Sequence, residues 1–108
     1  ISEEEVADDR VNIVSVEEAN NQTIYTATTR GFVGLIRAEI IIENDQITEI
    51  NILDQNESYW LEITNNDYIN GLINNQEELE EFDTISGATV TSAALKLMVK
   101  NVLEDYRK

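Results

Sequence analysis

Apolar and polar positions alternate most plainly between Leu35 and Ile42, where Ile36, Ala38, Ile40 and Ile42 stand against Leu35, Arg37, Glu39 and Ile41. A period of two predicts a strand with one buried and one mostly wet face. Glu43-Asn44-Asp45-Gln46 reads as a turn, and Ile47 to Leu53 as a second strand with Ile50 and Ile52 on one side. The two form an antiparallel hairpin most simply. Upstream, Val11 to Val16 and Gln22 to Thr29 are rich in β-branched residues and enclose the polar segment Glu17-Glu18-Ala19-Asn20-Asn21, a second hairpin signature. Gly31-Phe32-Val33-Gly34 sits between the hairpins and predicts a bend or bulge.

After Asp54 the period changes. Tyr68, Ile69, Leu72 and Ile73 have helical spacing behind cap candidates at Asn65 and Asn66. Asn75 to Phe82 reads as a further short helix. From Thr89 onward Val90, Ala94, Leu97, Met98, Val102 and Tyr106 predict one apolar face of a long helix. Lys96, Lys100 and Glu104 fall on the other face at i, i+4 spacing. Arg107 and Lys108 suit its negative end. Strands first and helices afterwards predict an α+β fold: a twisted antiparallel sheet with short helices and a long C-terminal helix packed on it. Residues 1–10 read as a flexible acidic arm and 11–108 as a single domain.

Composition narrows the chemistry. The chain has neither cysteine nor histidine. That excludes disulfides, thiolate chemistry, iron–sulfur ligation, Cys/His zinc sites and triads with a histidine base. The net charge of −15 repels nucleic-acid phosphates and anionic membrane surfaces, and it favours solubility or a basic partner. Calcium would suit such a surface, but the nearest loop, Asn65 to Gly71, lacks EF-hand spacing. No apolar run reaches the roughly 18 residues of a membrane span. The start at Ile1 leads us to expect a processed chain or a fragment, with any signal or anchor lying upstream.

The stretch richest in chemistry is Asp83-Thr84-Ile85-Ser86-Gly87-Ala88-Thr89-Val90-Thr91-Ser92. A glycine turn feeds directly into the long helix, whose first N–H groups and positive dipole end attract an anion. Gly87 and Ala88 admit a ligand close to the backbone. Ser86, Thr89, Thr91 and Ser92 offer hydroxyl donors. Spacing alone leaves a second reading open, since Ser, Thr and Asp are also the residues that merely cap helices.

The pattern Asp-x-x-Ser-Gly-Ala-Thr-x-Thr-Ser resembles the flavinylation motif of the FMN-binding domain family. That family includes flavin-carrying subunits of sodium-pumping NADH:quinone reductases and Rnf-type complexes, and lipoproteins of extracellular electron transfer. The resemblance runs from about Tyr25 to Tyr106, with Gly31 to Ile36 similar to the family's Gly-aromatic-x-Gly-x-Ile opening. It implies that a flavin transferase moves FMN from FAD onto Thr89 through a phosphoester, with Asp83, Ser86, Gly87 and Ala88 at the other fixed positions. It implies an extracytoplasmic electron carrier with redox partner proteins, no catalytic residues or metal of its own, and an upstream membrane or lipid anchor.

Two departures stand out. The turn at Asn44-Asp45-Gln46 lacks the family's usual glycine. Where pump subunits carry Glu-Thr and then Pro-Gly, this chain reads Glu57-Ser58-Tyr59-Trp60. Glu57 and Ser58 are candidates to hydrogen-bond the flavin, against a solvated loop. Tyr59 and Trp60 are candidates to stack on its ring, against an ordinary core or rim position. Phe32 and Tyr25 read as core. Arg30 and Arg37 read as partners in surface ion pairs, with phosphate compensation as the alternative. Two other functions stay open: a non-redox acidic binding or assembly module sharing the fold, and a domain that binds FMN reversibly.

Overall fold

Two pairs of adjacent positive-φ residues make the hairpins of this chain. The computed structural model describes residues 10–108. Strands β1 (Val11–Ala19) and β2 (Gln22–Arg30) are joined by Asn20 and Asn21 at φ 52° and 67°. Strands β3 (Leu35–Glu43) and β4 (Gln46–Asp54) are joined by Asn44 and Asp45 at φ 52° and 66°. Two-residue hairpin turns of this hand need φ above zero twice, and Asn and Asp tolerate it best after glycine. The second turn, which lacks a glycine, thus uses the two residue types that best tolerate this backbone after it. Glu17 to Ala19, expected in the first turn, extend β1 instead.

The sheet is a four-stranded antiparallel meander in the order β1-β2-β3-β4, with an irregularity in β1 between Ile13 and Ser15. Its inner face carries Tyr25, Ala27, Ile36, Ala38, Ile40, Ile42, Ile47 and Ile50, all buried. On this face lies the long helix α3 (Thr89–Tyr106); the shorter helices α1 (Trp60–Asn65) and α2 (Tyr68–Asn74) complete the core with Ile63, Tyr68 and Leu72. This is the expected α+β arrangement. The helix backbone lies directly on β2, because the buried Thr29 hydroxyl donates to the Ala94 carbonyl at 3.0 Å. At the far edge, the Gln76 side chain accepts from Ile47 N–H at 2.8 Å and donates to Ile47 C=O at 3.0 Å. That pairing covers part of an edge that would otherwise offer free backbone groups to another strand.

Several local expectations change. α1 was not expected at all. Asn66, read as a cap opening α2, closes α1 by donating from its backbone and its side chain to Glu62 C=O. Asp67 precedes α2 instead, at φ 50°. The segment from Asn75 to Phe82 forms only one 3-10 turn, Leu79–Glu81. The buried stripe of α3 consists of Thr91, Ser92, Ala94, Leu95, Met98, Val99, Val102 and Leu103. Val90, expected on it, is 43% exposed. The expected acidic arm falls, but for Arg10, outside the described residues.

Candidate functional site

The turn before α3 is shaped by Gly87 at φ +91°, a conformation L side chains rarely adopt. Among the described residues a β-carbon there would meet only the Glu62 side chain, 3.9 Å away, and Gly87 is exposed. Ala88 follows in the N-cap position and is itself buried at 3% exposure. Among the described residues no side chain caps the helix. The first N–H groups of α3 thus have neither an intrahelical acceptor nor a cap oxygen.

The four hydroxyls expected around this turn divide into two pairs. Ser86 and Thr89 are exposed. Among the described residues the Thr89 hydroxyl has one partner, the Ile85 carbonyl, at the long distance of 3.5 Å. Thr91 and Ser92 are buried and face inward. The Ser92 hydroxyl accepts from Ile85 N–H at 2.9 Å and donates to Ala88 C=O at 2.8 Å, pinning the turn to the helix. The Thr91 hydroxyl donates to Glu57 at 2.7 Å. Asp83 is exposed, and its charge reaches the buried Tyr68 phenol. Burial first, and Asp83 second, push that phenol up to about 12.

Glu57 is the unexpected centre of the site. It is 7% exposed. One carboxylate oxygen accepts from Phe32 N–H at 2.5 Å and from the Thr91 hydroxyl; the other accepts from Val33 N–H at 2.9 Å and Gly34 N–H at 3.2 Å. Burial works to raise its pKa. The bonds from Thr91, Val33, Phe32 and Gly34 outweigh it and hold the group below the ordinary carboxylate range. The Gly31–Gly34 loop is closed by a 2.8 Å bond from Gly31 N–H to Gly34 C=O, and a methyl on Gly31 would collide with the Glu57 carboxylate.

Of the aromatic residues, one departs from expectation. Phe32, read as core, is 57% exposed, and its ring centroid lies 5.9 Å from that of Tyr59, 50% exposed. Trp60 is half-buried against the core, Tyr25 lies within the core as expected, and Ser58 is exposed. Val33, Leu61 and Val90 add exposed apolar surface on the same loops and helix starts. Phe32, Val33 and Glu62 also border the site, where none of them was expected. A Phe-Val pair held between two glycines in a turn was the available signal. Among the described residues, ion pairs join Lys100 to Glu80 and Arg107 to Glu77, and Arg30 and Arg37 take part in neither.

Among the described residues no cluster of acidic side chains is arranged to hold a metal ion, and no helix is long and apolar enough to cross a membrane. An uncapped helix start, an open glycine turn, two outward hydroxyls and a flanking aromatic pair define an α+β domain suited to a phosphate-bearing aromatic cofactor. The chain belongs to the FMN-binding domain family, whose model matches residues 31–104. FMN is its cofactor. No match is found among curated proteins or solved structures. The site fits the group: N–H and hydroxyl donors suit its phosphate, and the exposed rings of Phe32 and Tyr59 suit its flavin.

Proposed function

We propose that this domain is an extracytoplasmic electron carrier whose FMN is joined to Thr89 by a phosphoester. The observation that carries the reading is the outward Thr89 hydroxyl on an uncapped helix start. Its one protein bond, 3.5 Å to Ile85, is long enough to be given up freely. A capping role would have used that oxygen on the helix N–H groups, and it does not.

In the transfer step the Thr89 hydroxyl oxygen attacks the flavin-side phosphorus of FAD. The Thr89 oxygen–phosphorus bond forms, and the phosphoanhydride bond breaks. AMP departs with the bonding electron pair, and the Thr89 proton passes to a base of the flavin transferase. In this reading the chain is the transferase's substrate and supplies the acceptor hydroxyl alone. FMN supplies the redox chemistry of its ring system, which a phosphate-side linkage leaves unaltered. Glycine at 87 and alanine at 88 let the phosphate approach the backbone, and the first-turn N–H groups offset its charge.

The net charge of −15 favours docking to basic redox partners and salt-sensitive encounter. An anchor upstream of Ile1 would hold the domain at the membrane or cell surface. The test is denaturing gel fluorescence after reaction with FAD and an active flavin transferase. A fluorescent band supports the covalent reading. Flavin that binds the native protein but leaves it on denaturation makes the domain a reversible FMN binder.

A further inference from the structure

We infer that Glu57 is a positioning residue for flavin attachment. Its carboxylate holds the Gly31–Gly34 loop and the first turn of α3 in one fixed relation, so that the Phe32–Tyr59 pair and the Thr89 hydroxyl meet the incoming cofactor together. The inference rests on Thr89 as the attachment point.

A nearly buried carboxylate in a chain of net charge −15 is costly unless its oxygens are satisfied. Here both are. Three backbone N–H groups and one hydroxyl face them, and no lysine or arginine is among the partners. Such bonds are directional where a surface ion pair would be loose. They also come from two separate parts of the chain. Phe32, Val33 and Gly34 belong to the loop between β2 and β3. Thr91 belongs to α3, two residues after Thr89. One oxygen of Glu57 touches both parts, Phe32 N–H and the Thr91 hydroxyl. Tyr59 follows Glu57 by two residues and meets the Phe32 ring. An ionised carboxylate has no proton to donate, and its oxygens are already engaged. Its effect on the flavin therefore passes through the groups it holds.

Misplacing a reacting group by about 1 Å can cost on the order of 100-fold in rate. We expect Glu57→Gln to slow flavin incorporation at least ~10-fold, because the amide turns an N–H toward at least one of the four donors. Thr91→Val should show a smaller loss, and Thr91→Ser, which keeps the hydroxyl, should recover the wild-type rate.

The experiment takes the full chain and these three variants with FAD and a flavin transferase of proven activity. Incorporation is followed by intact mass at a temperature where circular dichroism shows each protein folded. Fluorescence anisotropy of the attached flavin is read alongside. Slow incorporation in Glu57→Gln and Thr91→Val, normal rates in Thr91→Ser, and lower anisotropy in the two slow variants support the positioning role. Wild-type rates and anisotropy in Glu57→Gln and Thr91→Val, with only a lowered Tm, overturn it and leave a stabilising contact. Should Glu57→Gln fail to fold, the Thr91 pair decides the matter alone. A wild type that takes no flavin contradicts the attachment reading itself, and this role with it.

Discussion

The hydroxyl of Thr91 donates to the carboxylate of Glu57 across 2.7 Å and 34 positions of sequence. That bond ties the segment after β4 to the first turn of α3, and it orders the part of the molecule where the flavin belongs.

Acid should weaken this tie. The folded-state pKa of Glu57 lies below the ordinary value of 4.5. Between those two values the unfolded chain binds more protons than the folded one, so stability falls as pH falls. The contribution of Glu57 is whole above 4.5 and is lost through the lower folded value. The difference in urea midpoint between wild type and Glu57→Gln should therefore be large near about pH 6 and shrink toward about pH 3. A difference that stays constant over this range would contradict the assignment.

Tyr25 works at the other end of the scale. Burial first, then the 2.7 Å bond it donates to Asp105 and the Asp105 charge, push its phenol from 10.0 up to about 12. The protonated form is favoured in the folded state. Its stabilisation is whole below 10 and is lost as pH rises through about 12. Tyr25→Phe should cost about 1 kcal/mol at neutral pH and flatten the loss of stability in alkali. Equal alkaline slopes for the two proteins would refute this.

Tyr68 presents the opposite case. Its ring stacks on Phe82 with centroids 5.1 Å apart, while its hydroxyl is buried without a hydrogen-bond partner among the described residues. A buried unpaired polar group costs about 1–3 kcal/mol. Tyr68→Phe keeps the stacking and removes the cost, so its Tm should equal or exceed that of the wild type. A clear fall in Tm would show that the hydroxyl is paired in solution.

Much of this architecture was legible because the sheet is built on regular alternation. Ile36, Ala38, Ile40 and Ile42 all lie on the inner face, as their spacing required. The long helix was legible from its period, although Val90 faces outward because the stripe begins with Thr91 and Ser92. α1 escaped notice because it is six residues long and buries only Ile63. Phe32 was misjudged because an aromatic residue in a turn looks like core until the turn is seen to project it. In the site, the glycine turn and the hydroxyls were visible. The division of those hydroxyls into exposed and buried pairs was not, since it depends on helical phase. The partners of Glu57 were hidden for a different reason. They lie 23 to 34 positions away, and three of them are backbone N–H groups, which carry no sequence signature.

The most direct test is intact mass of the wild type and of Thr89→Ala after incubation with FAD and an active flavin transferase. Thr89 is exposed and its one protein bond is long, so the substitution should change stability by no more than about 0.5 kcal/mol. The account predicts that the wild type gains the mass of a single FMN group and that the folded variant gains none. Covalent flavin on Thr89→Ala, or none on the wild type, would contradict it.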